Sequence, residues 1–270
     1  MTQVSDRVRA FRELHKSGCF VIPNPWDVGA ARALAHLGFP ALATTSSGFA
    51  WSLARPDNGV TLEEALAHCR AIAGSVAVPV NADFEGGFAA EPGAVAANVT
   101  AAVATGIAGL SIEDSCRDAD DPLYEFSFAV ERIRAARAAI DASGTGVLLT
   151  GRSEGFVVGR PDLPETIRRL TAYAAAGADC LFAPGIRAAA DIAALVRAVA
   201  PKPVNLLISG DYMTVAEAAR LGVRRISVGG ALARTAWTGF LQAAREIADR
   251  GTFTALAGAV PSAEIQRAFS

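Results

Sequence analysis

The chain has 270 residues, of which 51% are hydrophobic and 19% charged, enough to bury a sizeable core in one large α/β domain or two modest ones. That balance excludes a disordered chain. A formal net charge of −2 gives no reason to expect a nucleic-acid partner, which would need a basic stripe.

From the amino end, the stretch up to Lys16 is charged and amphipathic with no apolar signal core, so residues 5–16 read as a helix ahead of the domain. Eight short apolar runs then alternate with Ala-rich helical patterns. Strands are expected at 19–23, 41–45, 78–83, 109–113, 147–152, 180–183, 203–207 and 226–229. Helices are expected near 26–37, 61–74, 91–105, 126–142, 162–176, 188–199, 213–221 and 230–249, with a last one at 262–269 in an extension over 251–270. Thr61 with Glu64, and Asp162 with Glu165, read as capping boxes, while Asp27 reads as a helix cap. Gly38, Gly106, Gly177 and Gly222 stand where a helix ends before a strand.

No Ser/Gly linker or charge run divides residues 1–270, so a single domain is expected. Eight strand–helix units in this length argue for an α/β fold of the (β/α)8 TIM-barrel type over a doubly wound sheet. Residues 92–112 carry no charge, but their glycines, proline and modest alanines fit a buried helix and strand better than a membrane span. Cys19, Cys69, Cys116 and Cys180 show no metal spacing; reduced thiols and a cytoplasmic protein with no membrane partner are expected.

In such a barrel the site forms at the carboxyl ends of the strands. Two absences narrow the chemistry there. The only lysines are Lys16, ahead of the barrel, and Lys202, at the start of the seventh strand on the opposite face. A Schiff-base or pyridoxal enzyme needs a lysine in the pocket. His15, His36 and His68 all fall in helical patterns, which argues against a His-ligated zinc site.

Carboxylates and one arginine remain. Asp83 and Glu113 end adjacent strands, with Asn81 and Glu85 nearby, and hard oxygen donors suit Mg²⁺, with Mn²⁺ as the alternative. Arg152 ends the fifth strand, where its planar fork suits a carboxylate. The Ser46–Ser47–Gly48 turn, after Thr45, offers backbone N–H groups to an anion. Metal, arginine and amides together describe a site for a small 2-oxo acid whose enolate is stabilised when a bond to C3 breaks.

At these residues the sequence resembles the isocitrate lyase/phosphoenolpyruvate mutase family. "NADFEGGF" is similar to the family's DADxGYG, "GIAGLSIEDS" to GxxGxxIED, and "LLTGRSEGF" to IxARTDA, in order and at matching spacing. The resemblance implies Mg²⁺ near Asp83 and Glu113. It also implies carboxylate contacts from Ser46, Ser47, Gly48 and Arg152, and a last helix exchanged between subunits of a homo-oligomer, dimer or tetramer. Asp57 matches an aspartate near the metal, and Asn205 a substrate-contacting asparagine of the lyase branch. Departures are specific: Asn81 stands for the first metal-site aspartate, "SCRDADDPLYEF" replaces the lyases' KKCGH loop, and the mutases' gating lysine and asparagine are absent. Three readings stay open: a Mg²⁺-dependent C–C lyase, P–C chemistry on a phosphonopyruvate-like acid, and a 2-oxo acid binding protein with little catalysis. The general acid/base is unassigned among Asp57, Glu85 and metal-bound water. The acids and Pro122 of the segment from Cys116 to Phe126 suit a mobile lid, and the sequence leaves open whether it closes over the site.

Overall fold

The computed structural model describes residues 2–116 and 118–269; Arg117, within the expected lid, lies outside them. Eight parallel strands form one sheet in the order β1-β8-β7-β6-β5-β4-β3-β2: β1 Phe20–Ile22, β2 Leu42–Ala43, β3 Val80–Asp83, β4 Gly109–Glu113, β5 Leu148–Arg152, β6 Cys180–Phe182, β7 Val204–Leu207 and β8 Arg225–Ser227. The sheet curls into a nearly closed barrel, the (β/α)8 architecture expected. β1 and β2 meet at its seam, where the Ala43 N–H donates to the Pro23 carbonyl at 3.1 Å. Asn24 reinforces that seam. Its Nδ2 donates to the Thr44 carbonyl at 2.8 Å, and its Oδ1 accepts the N–H groups of Val228 and Gly229 at 2.8 and 2.9 Å.

Helix α1 (Thr2–Leu14) covers the amino-terminal end of the barrel. Phe11 is fully buried against Gly109, where a Cβ would stand 2.7 Å from the Phe11 ring. Arg12 donates to the Gly146 carbonyl at 2.9 and 2.6 Å, and Arg7 to the Ala73 carbonyl at 2.5 Å, anchoring the helix to turns that lead into β5 and β3. Lys202 donates to the Ala178 carbonyl at 2.7 Å, at the start of β6 and away from the strand tops.

Between strands run α2 (Val28–His36), α3 (Ser46–Ser52), α4 (Leu62–Ser75), α5 (Pro92–Val103), α6 (Phe126–Ser143), α7 (Leu163–Ala175), α8 (Ala189–Val199) and α9 (Val215–Arg220); α10 (Ala231–Arg250) and α11 (Ser262–Arg267) follow β8. Ile72, Ile107, Ile140 and Leu170 are fully buried in the core that helices and strands share, each worth about 1.5–3 kcal/mol of burial. The uncharged run 92–112 is α5 and β4, and no helix among the described residues is long and apolar enough to cross a membrane.

Two local expectations need correction. The Ser46–Gly48 turn is the first turn of a seven-residue helix, α3, because Thr45 caps it by accepting the Gly48 N–H at 3.3 Å. Asp162 caps α7, but the second half of its box is not made, since Arg168 and Arg169 both hold the Glu165 carboxylate. A full box forms instead at Thr214 and Glu217. Thr61 and Glu64 form theirs, and Asp27 accepts the Ala30 N–H at 2.6 Å as the cap of α2.

Candidate active site

A cavity of about 180 Å³ opens at the carboxyl ends of the strands. Of the residues singled out from sequence, Thr45, Ser46, Ser47, Asp57, Asn81, Asp83, Arg152 and Asn205 line it. Gly48, Glu85 and Glu113 do not. Gly48 faces away: a Cβ there would meet Thr45 Cγ2 at 2.7 Å, Trp26 Cβ at 3.0 Å and Ala233 Cβ at 3.3 Å. Its lack of a side chain lets α3 pack close to Trp26 and α10.

The charged centre is built by register. β4 and β5 pair Glu113 with Arg152, and β3 and β4 pair Asp83 with Ser111, so the three charged side chains end neighbouring strands at nearly one level. Arg152 Nη1 lies 3.2 Å from Asp83 Oδ1 and 3.3 Å from Glu113 Oε2, while its Nε donates to Glu154 Oε1. One guanidinium therefore faces three carboxylates. Burial works against the arginine's charge, but Glu154, Glu113 and Asp83 together hold it protonated well above its ordinary range. Glu113 is pushed up to about 8, first by burial and then by Glu154, Asp83 and Glu85, against the pull of Arg152.

Asp83 is fixed on its other side by α3. The Ser46 N–H donates to Asp83 Oδ2 at 3.0 Å, and the Thr44 hydroxyl accepts the Asp83 N–H at 2.9 Å. Asp57 sits in the exposed loop after α3 and reaches the cavity mouth. Burial and the nearby Asp83 raise its carboxyl above the usual range, while the Asn58 N–H and Ser46 oppose the shift. Glu85 is 2% exposed with φ 48°, in the left-handed region, and its carbonyl accepts the Glu113 N–H at 3.0 Å. Asn81 lies one layer below Asp83, opposite Gly109; its Oδ1 is buried with no hydrogen-bond partner among the described residues. Asn205 is also a layer down and holds Arg225 and Ser227.

Asp114 points out of the barrel. It accepts the Glu154 N–H at 2.8 Å, the Tyr173 hydroxyl at 2.7 Å and Arg169 at 3.2 Å, so it fixes the Arg152–Glu154 loop rather than a ligand. Arg132, which no sequence motif marked, is 1% exposed on α6 and donates to the carbonyls of Glu113, Gly86, Ala89 and Ala90. It clamps the loop after β3 to the end of β4. Arg225 also escaped the motif reading, because it opens β8 at the amino end and not at a strand top. In the segment expected as a lid, the Cys116 N–H donates to the Pro122 carbonyl at 2.9 Å and Arg160 to the Asp120 carbonyl at 2.8 Å.

Does this centre fit a divalent cation? Among the described residues no group of three or more His, Cys, Asp or Glu side chains is placed to hold one. Two carboxylates, Asp83 and Glu113, do converge on the same nitrogen, and Mg²⁺ is commonly held by one or two carboxylates with water and ligand oxygens. Burial first, and then the neighbouring Glu154, Asp83 and Glu85, raise the Glu113 proton affinity, and three carboxylates around one arginine fit a cation.

A (β/α)8 barrel with a small polar cavity and an arginine–carboxylate centre at its strand tops defines the class. Residues 11–248 match the phosphoenolpyruvate phosphomutase family, and the chain belongs to it. An uncharacterized Mycobacterium tuberculosis protein is 34% identical over 260 residues, 95% of both chains. A Burkholderia cenocepacia J2315 protein proposed to be a lyase or mutase superposes with TM-score 0.96 at 46% identity, covering 100% of this chain and 98% of that one. An oxaloacetate acetylhydrolase with its product oxalate superposes with TM-score 0.87 at 25% identity, covering 98% and 94%.

Proposed function

We propose that this chain is a Mg²⁺-dependent lyase, with Mn²⁺ as an alternative ion, that cleaves a C–C bond of a small 2-oxo or 2-hydroxy acid through an enolate. The observation that carries the reading is the convergence of Asp83 and Glu113 on Arg152 at the lip of a small polar cavity. The relative that holds oxalate, and is named for acting on oxaloacetate, supports the substrate class.

Asp83 and Glu113 would hold the cation, which supplies Lewis-acid stabilisation of developing negative charge. Arg152 orients the ligand carboxylate and adds a fixed positive charge beside the C2 oxygen. The first turn of α3 closes the opposite wall with the hydroxyls of Ser46 and Ser47. Asp57, at the mouth with its proton affinity raised by burial and by Asp83, would move the proton to or from C3. The whole chain acts as one barrel domain, in a cytoplasmic homo-oligomer. Trp237, Phe240 and Leu241 on α10 are exposed at 40%, 59% and 37%, an apolar face that suits a second copy.

Calorimetric binding of pyruvate, oxaloacetate, 2-oxoglutarate and phosphonopyruvate, with Mg²⁺ and with EDTA, tests the reading. Mg²⁺-dependent binding of a 2-oxo acid, lost in Arg152→Ala, is expected. No binding under either condition overturns it. A second reading, 2-oxo acid binding with little turnover, draws on the missing third carboxylate ligand among the described residues. Binding without cleavage of any bound acid would favour it.

A further inference from the structure

Arg225 crosses the barrel interior below the charged centre and lines the same cavity. It is 1% exposed. Its Nε donates to Asn205 Oδ1 at 2.9 Å, its Nη2 to Thr150 Oγ1 at 3.0 Å, and its Nη1 meets His15 Nε2 at 3.3 Å. Each partner is neutral. Burial, then the charge of Arg225 itself, drives His15 down to about 3, so the ring is uncharged at neutral pH. The His15 Nδ1–H faces the Phe11 carbonyl at 2.7 Å, which leaves Nε2 as the acceptor.

Among the described residues, no carboxylate forms an ion pair with Arg225. The contrast with Arg152, which faces Asp83, Glu113 and Glu154, is chemical as well as geometric. The upper arginine is already compensated by protein groups; the lower one is not. A guanidinium stays protonated when buried and carries five N–H groups, of which three are engaged here. A buried charge without a counter-charge is strongly unfavourable unless a ligand provides one. Asn81 Oδ1, buried without a partner among the described residues, lines the same cavity and can accept from a bound water.

We propose that Arg225 is a specificity-determining residue: from the cavity floor it binds the far anionic group of a small diacid whose other end lies at the strand tops. The proposal rests on this cavity being the ligand site, as argued above, and requires no metal. The volume of about 180 Å³ is room for roughly six water molecules, the size of a three- to five-carbon acid. Such a ligand spans strand tops and floor. A monoacid of the same length leaves Arg225 uncompensated and is discriminated against.

The test is calorimetric titration of the full chain with malonate and with propionate, in Mg²⁺ and again in EDTA. Wild type is expected to prefer malonate by tenfold or more. Arg225→Met removes that preference; Arg225→Lys retains part of it. Because Arg225→Met removes three buried hydrogen bonds, Asn205→Asp serves as the second variant. It keeps the acceptor for Nε while adding the missing counter-charge, so malonate preference falls and the fold is retained. A purely structural arginine would lower the melting temperature without moving the malonate-to-propionate ratio. Equal affinity for the two acids in wild type, or a preference that survives in Asn205→Asp, overturns the proposal. If Mg²⁺-dependent binding of 2-oxo acids persists in that case, the lyase reading stands alone; if no acid binds under any condition, both fall.

Discussion

Arg152 Nη1 and Asp83 Oδ1 stand 3.2 Å apart across the top of the barrel, and that single contact joins β5 to β3 over the intervening strand. Glu113 and Glu154 crowd the same guanidinium. Removing the cation leaves three clustered carboxylates with no arginine. Arg152→Ala is therefore expected to lose about 3–5 kcal/mol of stability in urea unfolding, the usual cost of breaking a buried pair from one side. Saturating Mg²⁺ should recover part of that loss. An unchanged unfolding midpoint would show the cluster to be solvated and inert.

The same cluster sets a pH dependence in EDTA. Glu113 holds its proton to about 8 in the folded protein, above its ordinary 4.5, so its contribution is fully present below pH 4.5 and is lost as pH rises through 8. The melting temperature should decline across that range, and Glu113→Gln should flatten the decline. His15 acts with the opposite sign: held near 3 instead of 6.5, it costs stability as pH falls below 6.5. A wild-type profile that does not fall on the alkaline side would contradict the assignment for Glu113.

Asp114 and Tyr173 offer a control outside the cavity. Their 2.7 Å hydrogen bond is buried, and Arg169 shares the acceptor. Tyr173→Phe should destabilise by about 1–2 kcal/mol without changing 2-oxo acid affinity by more than about twofold. A large affinity loss would mean that the Arg152–Glu154 loop depends on Tyr173 for its shape.

Gly48 tests whether α3 positions the ligand. With Thr45 Cγ2 only 2.7 Å from an added Cβ, Gly48→Ala must push α3 off Trp26 and Ala233. About 1–3 kcal/mol of destabilisation is expected, together with weaker acid binding as Ser46 and Ser47 move. Calorimetry on the folded variant separates the two effects.

The apolar face of α10 predicts association. Phe240→Glu should shift the species seen by light scattering toward the monomer. A wild-type chain that is already monomeric at micromolar concentration would remove the reason for that face.

The barrel and the strand-top residues were legible because period and position carry them: short apolar runs, helix-ending glycines, and polar residues placed just after each run. What stayed hidden depends on side-chain direction. Asp114 stands next to Glu113, yet the pleat sends it outward to Tyr173 and Arg169. Arg132 reads as an ordinary helical arginine, and only the fold brings four loop carbonyls to it. Arg225, beside Arg224 in "VRRIS", could be told from its neighbour only by strand parity, which sends one inward; Arg224 instead reaches the Gly18 carbonyl at the opposite end. Helix α3 was missed because seven residues with Ser and Gly at the start give too short a period to read.

The seam held by Asn24 has a dynamic consequence. Every other joint between neighbouring strands is a ladder, whereas β1 and β2 share the Ala43–Pro23 bond and one side chain. In hydrogen exchange, the amides of Ala43, Val228 and Gly229 should therefore open together, ahead of those in β4 and β5. Thr44 and Thr45 follow directly in sequence, so this breathing would be felt first at the wall that carries Ser46 and Ser47. The barrel's least protected stave is the one that leads into a wall of its cavity.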